Sequence, residues 1–480
     1  MTTLAQANPV TTVVPDAALV TKYSRPGPRY TSYPPVPYWP ANGVEDGYRQ
    51  ALRENGPRVC DPSAGPGHSL YVHIPFCERR CTYCACNVVI SRDHARGRRY
   101  VRSVLREMDL LIDGMGGGRP KLRQIHWGGG TPTWLTADEL AVLHDETAAR
   151  FDLADDREQS VEIDPRVTTR EQLQVLRARG LNRVSLGVQD LDRPVQEAIH
   201  RVQPLDVTRR VIDDARDLGI EGINVDLVYG LPHQSLEGFG KTIDIVIEMG
   251  VDRVALYNFA YLPERLTHHR AILPHWLPSA EYRIELFRLA SRRFADAGYE
   301  MIGLDHFARR TDELSIAMSD GSLHRNFMGY TTRAGSDLFA VGVSSISRVG
   351  PYFAQNVKTT AEYEELVAAG RLPLERGMRL SQDDLARERV IQTLMCYGRV
   401  DFAAIETEFG LKLLDDAARR KLAEFEGDEL LRLSGQYLTV TPLGRFFLRN
   451  IAMVFDAYLG RPPAPEAHNQ TAKVRFSQTV

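Results

Sequence analysis

The feature that most constrains the fold is a regular alternation of strand-like and helix-like segments from residue 69 onward. Runs rich in β-branched and aromatic residues alternate with segments whose apolar residues recur at helical spacing, which favours parallel strands joined by helical crossovers. We therefore predict an α/β fold, a partial (β/α) barrel of about six parallel strands, with an open doubly wound sheet as the alternative. The predicted strands are 69–76, 122–127, 160–164, 183–189, 223–229 and 253–260, and the predicted helices between them are 100–115, 137–151, 170–179, 206–218 and 236–249.

The chain is too long for one hydrophobic core, because single cores stop growing near roughly 250–300 residues and this chain has 480. Downstream of about Met378 the pattern changes to helices over 383–397 and 404–409, a hairpin over 431–441 and a helix from Leu443. We expect a smaller, mostly helical, winged-helix-like C-terminal domain there. The predicted divisions are a disordered N-terminus (1–20), an N-terminal extension (21–68), the barrel with its extension (69–375) and the C-terminal domain (376–480).

Charge and hydropathy argue against two classes of partner. The formal net charge is −3, acids and bases are interspersed, and the predicted C-terminal domain has no Lys/Arg cluster, so neither a nucleic acid nor an anionic membrane is expected to bind. The first ten residues lack a basic stretch followed by an apolar run, and no segment offers the roughly 18 uncharged apolar residues of a membrane span. We expect a cytoplasmic protein, and nothing in the sequence demands more than a monomer.

Four of the six cysteines, Cys77, Cys81, Cys84 and Cys86, fall on one short loop directly after the first predicted strand. The first three have the spacing Cys-x3-Cys-x2-Cys, which can supply three thiolates to an inorganic cluster and leave its fourth iron open. Six cysteines are too few for a disulfide scaffold in a chain of this length. Cys60 and Cys396 stand alone, and we assign them no role.

Zinc and simple electron transfer are the alternatives for this loop. Structural zinc sites usually pair two Cys-x2-Cys knuckles a dozen or more residues apart, and Cys84-Ala-Cys86 is too tight for such a knuckle. A bacterial-type ferredoxin would use Cys-x2-Cys-x2-Cys with a distant fourth cysteine before proline, which this sequence lacks. Both alternatives are therefore weaker than an open cluster.

Other unusual polar features also lie at the carboxyl ends of predicted strands, which meet at one mouth in a barrel of this type. Three consecutive glycines, 128–130, would let backbone groups approach a polar ligand closely. As a set, the polar residues match a nucleoside ligand that carries an amino acid, with acids for its amino group and ribose hydroxyls and an Arg for its carboxylate. These residues are Glu162, Gln189, Arg201 and Asp226, with Asp164 and residues 257–260 at equivalent positions.

The sequence resembles the radical S-adenosylmethionine enzymes, and within them the oxygen-independent coproporphyrinogen III oxidase (coproporphyrinogen III dehydrogenase) family. The resemblance covers nearly the whole chain and implies a barrel of the radical SAM type. It rests on the segments 28–34, 69–87, 125–133, 224–232, 304–308, 324–331 and 341–347, and extends to Phe476.

The resemblance implies an oxidoreductase of heme biosynthesis. Cys77, Cys81 and Cys84 would ligate a [4Fe-4S] cluster whose open iron binds S-adenosylmethionine. One electron would then release a 5′-deoxyadenosyl radical, which takes a hydrogen from a propionate of coproporphyrinogen III. Loss of carbon dioxide and one electron leaves a vinyl group, and two such steps give protoporphyrinogen IX. An electron donor and an electron acceptor are implied but not identified.

The resemblance also implies that the protein binds two S-adenosylmethionine molecules. It does not indicate which of the matching residues contact which molecule. Position 83 is commonly Phe in the family; Tyr83 keeps the stacking face and adds a hydroxyl. The matching residues here are Tyr71, Tyr83, Gly129, Gly130, Thr131, Glu162, Gln189, Arg201, Asp226, Ala260 and Ile346.

Cys86 and the segment 28–34 separate the oxidases from their nearest relatives, the heme chaperones, which are the alternative function. Those relatives usually carry an aromatic residue at the position of Cys86. We do not expect Cys86 to ligate the cluster, and we give it only a candidate catalytic place beside the site. Because coproporphyrinogen carries four propionates and Arg binds carboxylates bidentately, four arginines in matching motifs are candidate clamps: Arg25, Arg29, Arg166 and Arg325.

Overall fold

The computed structural model describes residues 15–61, 67–464 and 476–479. Its helices are α1 (Ala17–Tyr23), α2 (Val44–Val59), α3 (Ala95–Gly114), α4 (Ala137–Arg150), α5 (Arg170–Arg177), α6 (Arg193–Ala198), α7 (Leu205–Asp217), α8 (Leu236–Glu248), α9 (Ala280–Asp296), α10 (Glu313–Asp320), α11 (Thr360–Ala368), α12 (Gln382–Tyr397), α13 (Phe402–Phe409), α14 (Asp416–Gly427) and α15 (Leu448–Ala452).

The strands follow the same chain order and alternate with these helices as far as β8. They are β1 (His68–Ile74), β2 (Phe76–Cys77), β3 (Val89–Ile90), β4 (Lys121–Gly129), β5 (Asp152–Ile163), β6 (Arg183–Gln189), β7 (Gly222–Tyr229), β8 (Arg253–Asn258), β9 (Tyr299–Ile302), β10 (His306–Arg309), β11 (His324–Asn326), β12 (Gly329–Thr331), β13 (Leu338–Val341), β14 (Ile346–Val349), β15 (Tyr352–Asn356), β16 (Leu374–Arg379), β17 (Arg399–Asp401), β18 (Leu431–Ser434) and β19 (Tyr437–Val440).

The main sheet has twelve strands in the order β16-β15-β14-β13-β1-β4-β5-β6-β7-β8-β10-β9. The run from β13 to β8 is parallel throughout. Its last six strands are the six that the sequence predicts, each followed by a helix, so the predicted α/β class with a partial barrel is confirmed. All the carboxyl ends of these strands consequently face the same mouth.

Both edges of the sheet extend beyond the prediction. Strands β14 to β16 add antiparallel neighbours on one side, and β10 and β9 do so on the other. These strands are four to six residues long and are joined mostly by short turns, so they carry little of the periodic signal that marks the inner strands.

The crossover helices begin where the sequence supplies hydrogen-bonding caps. Thr136 and Glu139 form a capping box at the start of α4, and Thr169 and Gln172 form one at the start of α5. The predicted helix bounds agree with the structure to within two residues, except that α3 begins at Ala95 and not at residue 100. None of the helices in the described part of the chain is long and apolar enough to cross a membrane.

The C-terminal domain combines helices α12 to α15 with the small sheet β17-β19-β18, as the sequence predicts for helices and a hairpin. Helix α14 was not predicted. The helix expected from Leu443 is a 3-10 turn over Gly444–Phe447, followed by α15.

The N-terminal segment packs into the core of the C-terminal domain. Tyr23 stacks on Phe425 with ring centroids 5.0 Å apart, and Arg449 Nε donates to the carbonyl of Pro28 at 3.0 Å. Helix α1 begins inside the segment 1–20 that was predicted to be disordered, so that prediction is wrong for residues 17–20. Residues 1–14 lie outside the described residues.

Candidate active site at the mouth of the partial barrel

The cysteine loop is held at the mouth by backbone hydrogen bonds from several elements. The amide of Thr82 donates to the carbonyl of Ile199 at 3.0 Å, and the amide of Ser91 donates to the carbonyl of Cys77 at 3.0 Å. Nε2 of His268 lies 2.6 Å from the carbonyl oxygen of Cys84. The loop is therefore positioned by residues far from it in sequence.

Two guanidinium groups lie beside the sulfur of Cys81. Nη2 of Arg166 and Nη1 of Arg201 are each 3.8 Å from Sγ, and both arginines also donate to Oδ2 of Asp164, at 2.6 and 3.0 Å. Burial would raise the pKa of the Asp164 carboxyl, but the charges of Arg201 and Arg166 hold it at about 2. Asp164 is therefore a permanent anion between two cations, and the net charge facing Cys81 is positive.

The donors on this loop fit an iron-sulfur cluster. All six cysteines are free, and Sγ of Cys77 lies 3.4 Å from Oγ1 of Thr131. Within residues 15–61, 67–464 and 476–479, no three His, Cys, Asp or Glu side chains come together closely enough to hold a single metal ion. Thiolates of an iron-sulfur cluster bind separate irons and need no common point, and the cations beside Cys81 complement the negative charge of a thiolate-bound cluster.

The glycine turn 128–130 is a place of close approach. Gly129 has φ +117°, and a Cβ built on it would lie 2.7 Å from the ring of His73. A Cβ on Gly128 would meet the carboxylate of Glu162 at 2.9 Å, and one on Gly130 would meet the carbonyl of Pro75 at 2.7 Å. The turn therefore brings its backbone against β1, β5 and the start of the cysteine loop without side chains between them.

Glu162 lies at the end of β5, with 42% of its side chain open to the mouth. Its Oε2 accepts a hydrogen bond from the amide of Gly129 at 2.9 Å, and its Oε1 lies 3.4 Å from Nε2 of His126. Burial would raise the pKa of this carboxyl, but His126 and the Gly129 amide keep it below its ordinary value. The group is therefore an anion at neutral pH with an acceptor oxygen facing the mouth.

Asp226 stands two strands from Glu162 and behaves in the opposite way. Its carboxyl accepts hydrogen bonds from Asn224 Nδ2 at 2.9 Å and from Ser185 Oγ at 3.2 Å. Burial and the charge of Glu162 nevertheless raise its pKa to about 6. A ligand that brings a donor or a positive charge to this position would favour the ionised form.

Four further predicted residues, Tyr71, Gln189, Tyr83 and Ala260, lie at different places around the mouth. Tyr71 on β1 lies with its hydroxyl 3.0 Å from Nδ1 of His73. Gln189 ends β6 with φ +68°, close to Arg201, and Tyr83 packs against the apolar cluster around Ile199 and Phe259. Ala260 follows β8 and lines a cavity.

Ile346 lies two strands from Tyr71, in the sheet order β14-β13-β1. It begins β14 and packs against the aromatic cluster of Trp39 and Phe353. Cys86 is exposed near the end of the loop, and its thiol lowers the pKa of the neighbouring Cys84 thiol to about 7.

The four candidate clamp arginines have different surroundings. Arg29 lines the same cavity as Ala260. Arg325 is buried and donates to the carbonyls of Arg29 and Tyr30 at 2.7 and 2.8 Å, so it fixes the N-terminal segment. Arg166 is committed to Asp164, and Arg25 is exposed. Only Arg29 therefore remains placed for a substrate carboxylate.

The sequence analysis did not predict several residues that contribute to the site. His73 and His126 follow Tyr71 and Gln124 by two residues on their strands, so the period of two places them on the same faces. Asn224 has the same relation to Asp226. Period-two polar positions at the ends of strands were therefore a usable signal, whereas His268 lies in the 3-10 turn Thr267–Ala271, which has no such pattern.

Comparisons with known proteins agree with this geometry. The Radical SAM superfamily model matches residues 71–246, and the HemN C-terminal domain model matches residues 380–447. The oxygen-independent coproporphyrinogen III oxidase of Pseudomonas aeruginosa is 41% identical over 470 residues, which cover 97% of this chain and 98% of the relative. That of Synechocystis sp. is 37% identical over 481 residues, with 98% and 99% covered.

A solved structure shows the same fold. The coproporphyrinogen III oxidase (HemN) from Escherichia coli, described as a radical SAM enzyme, superposes with a TM-score of 0.84 at 36% identity, covering 93% of this chain and 100% of that one. The HemN C-terminal domain model begins at residue 380, directly after the last strand of the main sheet, β16 (Leu374–Arg379). The chain therefore belongs to the oxygen-independent coproporphyrinogen III oxidase family of radical SAM enzymes.

Proposed function

We propose that the protein converts two propionate side chains of coproporphyrinogen III to vinyl groups without oxygen, giving protoporphyrinogen IX. The observation that carries this proposal is the mouth itself, where Thr131 contacts Cys77, the Gly129 amide donates to Glu162, and Arg201 joins Cys81 to Asp164. The oxidase name of the relatives favours this function over that of a heme chaperone.

In this proposal Cys77, Cys81 and Cys84 hold a [4Fe-4S] cluster and the mouth binds two molecules of S-adenosylmethionine. When bound there, these groups would supply the radical chemistry by which each propionate loses one hydrogen atom, one carbon dioxide and one electron. An electron donor and an electron acceptor, both unidentified, complete the balance. The free state of all six cysteines suits a reducing compartment such as the cytoplasm.

The roles of the acids follow from their charges. Glu162 is ionised at neutral pH, so it can accept hydrogen bonds from an amino group without a change of protonation. Asp226 has a pKa of about 6 and is held by two donors, so its remaining lone pairs suit the hydroxyls of a ribose. Arg201 is the candidate partner of a ligand carboxylate, although it also serves Asp164.

Enclosure of the reacting groups is the remaining task of the protein, because a primary carbon radical reacts with almost any C–H bond it meets and has to be confined to that of the substrate. The loop after β8 contributes Phe259, Tyr261 and Leu262, and the C-terminal segment contributes Phe476 to the same wall. These apolar residues would close the mouth around the substrate.

The test is anaerobic incubation of the iron-loaded protein with coproporphyrinogen III, S-adenosylmethionine and a one-electron reductant. We expect a divinyl product, two molecules of carbon dioxide for each product, and methionine release. Omission of S-adenosylmethionine is the control. A sample with a full complement of iron that releases no methionine and forms no vinyl group would contradict the proposal.

A further inference from the structure

A cavity of about 310 Å³ opens beside the carboxyl end of β8. This volume is at the small end of the roughly 300–1,000 Å³ that ligand pockets occupy, so it suits one arm of a large substrate and not a whole tetrapyrrole. Gly230, directly after β7, lies at its floor, and four other parts of the chain that are far apart in sequence enclose it. They are Arg29, the loop 258–262 after β8, the segment 277–283 at the start of α9 and the C-terminal residues 476–478.

Arg283 is the most unusual residue of this cavity. Among the residues that the structure describes, none accepts a hydrogen bond from its guanidinium and none forms an ion pair with it, and its Nε is buried. Its aliphatic stem passes over Gly230, where a Cβ would lie 2.9 Å from Cδ. A buried donor without an acceptor costs stability, and a cation costs more than a neutral group. An anion that binds from outside the chain would supply the acceptor that the Arg283 guanidinium lacks, and would so account for a buried cation at this position.

The surroundings of Arg283 add positive charge and unused polar atoms. Arg29 donates to the carbonyl of Asn258 at 2.8 Å. Oδ2 of Asp305 lies 4.0 Å from Nη1 of Arg29, and Oδ1 of the same carboxylate is bonded to His306. The side-chain oxygen of Asn258 is buried without a partner. The polar atoms therefore converge on the cavity, whereas Phe259, Leu262, Leu277 and Pro278 give it apolar walls.

The C-terminal wall of the cavity, residues 476–478, is held in place by Arg449, which does not itself line the cavity. Arg449 donates to the carbonyl of Gln478 at 2.8 Å, to Oγ of Ser477 at 3.2 Å and to the carbonyl of Pro28 at 3.0 Å. Burial and the charge of Arg29 lower the pKa of the Arg449 guanidinium to about 9. The two ends of the chain are thus joined behind the cavity, in a region that has more cations than it can pair.

We propose that this cavity binds the carboxylate of one propionate arm of the tetrapyrrole, with Arg283 and Arg29 as its cationic partners. A carboxylate offers about four lone-pair sites and can accept from both guanidiniums at once, while the methylene carbons of the arm pack on the apolar walls. Ala260 belongs to the same wall and to the expected S-adenosylmethionine contacts, so the cavity adjoins the proposed reaction site. This inference rests on the proposed function for the identity of the substrate.

The test compares substitutions of Arg283 in the iron-loaded, full-length protein. For Arg283→Gln we expect the KM for coproporphyrinogen III to rise roughly tenfold or more, because a hydrogen-bonded charge pair is lost. The KM for S-adenosylmethionine, the iron content and the Tm should stay near wild type. Arg283→Lys keeps the charge but loses the fork, so its KM should be intermediate. Arg288→Gln, which removes a surface arginine of the same helix paired with Glu285, is the matched control.

A binding titration separates this inference from the proposed function. Coproporphyrin III, which carries the same four propionates, is titrated anaerobically against each variant and followed by its fluorescence. Weaker binding by Arg283→Gln and unchanged binding by Arg288→Gln support the carboxylate site even if the wild type forms no vinyl product. Equal binding and equal KM for wild type and Arg283→Gln overturn it and leave the proposed function intact.

A second variant covers the case in which Arg283→Gln loses iron or thermal stability. Leu277→Trp would fill the cavity from another element, and we expect it to weaken coproporphyrin III binding at least tenfold. Full binding by Leu277→Trp would mean that the propionates lie elsewhere, and the inference would fail.

Discussion

The two sides of the mouth differ in how their cations are neutralised. On the cluster side, defined by the cysteine loop with Asp164, Arg166 and Arg201, a buried carboxylate bridges both guanidiniums. On the cavity side, defined by Arg29, Asn258 and Arg283, polar atoms are buried without partners. The cluster side contains its own counter-ion, although Nε of Arg201 is also buried without an acceptor, whereas no described carboxylate pairs with Arg283, which an anion from outside would complete.

This difference indicates which side is scaffold and which side recognises substrate. Buried charges destabilise a fold unless they are paired, so a network that must hold a cofactor permanently should carry its own counter-ions. A site that binds and releases a substrate in each turnover gains from unpaired groups, because the ligand then supplies the missing interaction. Substitutions on the cluster side should therefore affect assembly, and those on the cavity side should affect substrate binding.

The largest effect is expected from the cysteine loop. Cys81→Ser should abolish product formation and lower the iron content well below four per chain, because a ligand of the proposed cluster is lost. Cys86→Ser should keep its iron, since three thiolates are enough, and Cys60→Ser is a control away from the loop. Iron analysis and visible absorbance measure the outcome. Loss of iron from Cys86→Ser equal to that from Cys81→Ser would show that the ligand assignment is wrong.

Asp164→Asn should cost about 3–5 kcal/mol of unfolding free energy, because it leaves two guanidiniums at the mouth without their shared carboxylate. The matched control is Asp214→Asn, which breaks a more exposed pair with Arg170 and should cost no more than about 1 kcal/mol. Denaturant unfolding of both variants measures the difference. Equal costs would mean that the cluster side is not held together by this network.

The sequence predicts the cluster side better than the cavity side for a physical reason. The cysteine loop, Gly129 and Glu162 all follow strands with strong periodicity, and parallel strands bring their carboxyl ends together. Their contact could therefore be expected before the structure was seen. Arg29 and Arg283 lie outside the inner strands, and residues 476–478 reach the cavity only because the two chain ends pack together. The spacing of residues within one segment does not indicate that two segments far apart in sequence pack together.

The edges of the sheet show the same limit. The six inner strands are six to twelve residues long and stand out by their β-branched and aromatic residues, whereas β14 to β16 are four to six residues long and mix polar with apolar residues. Ile346 lies on this edge, on β14 beside Trp39, so the strand pattern of the sequence did not predict its place in the sheet.

A smaller effect is expected from closing the cavity at its floor. Gly230 and Gly335 both have positive φ, +84° and +75°, so Ala at either position should cost roughly 1 kcal/mol of stability. Only at Gly230 does the added methyl meet Arg283, at 2.9 Å, whereas nothing lies within 4 Å at Gly335. Gly230→Ala should therefore raise the KM for coproporphyrinogen III several-fold, and Gly335→Ala should not. Equal KM values for Gly230→Ala and Gly335→Ala in steady-state assays would mean that Arg283 takes no part in substrate binding.

The smallest effect concerns Asp226, which belongs to neither side and faces the centre of the mouth. Its pKa is raised to about 6, above that of an unfolded Asp, so the folded state keeps a proton that the unfolded state releases. Stability is therefore unaffected below about pH 4, falls as the pH rises towards 6, and then stays constant. Between pH 5 and 8 the ligand-free wild type should lose roughly 1 kcal/mol more than Asp226→Asn. The control is the exposed Asp213→Asn, whose free energy of unfolding should change with pH as that of the wild type does. If denaturant unfolding gives the same pH dependence for all three proteins, the ionised Asp226 is not destabilised by burial and by Glu162.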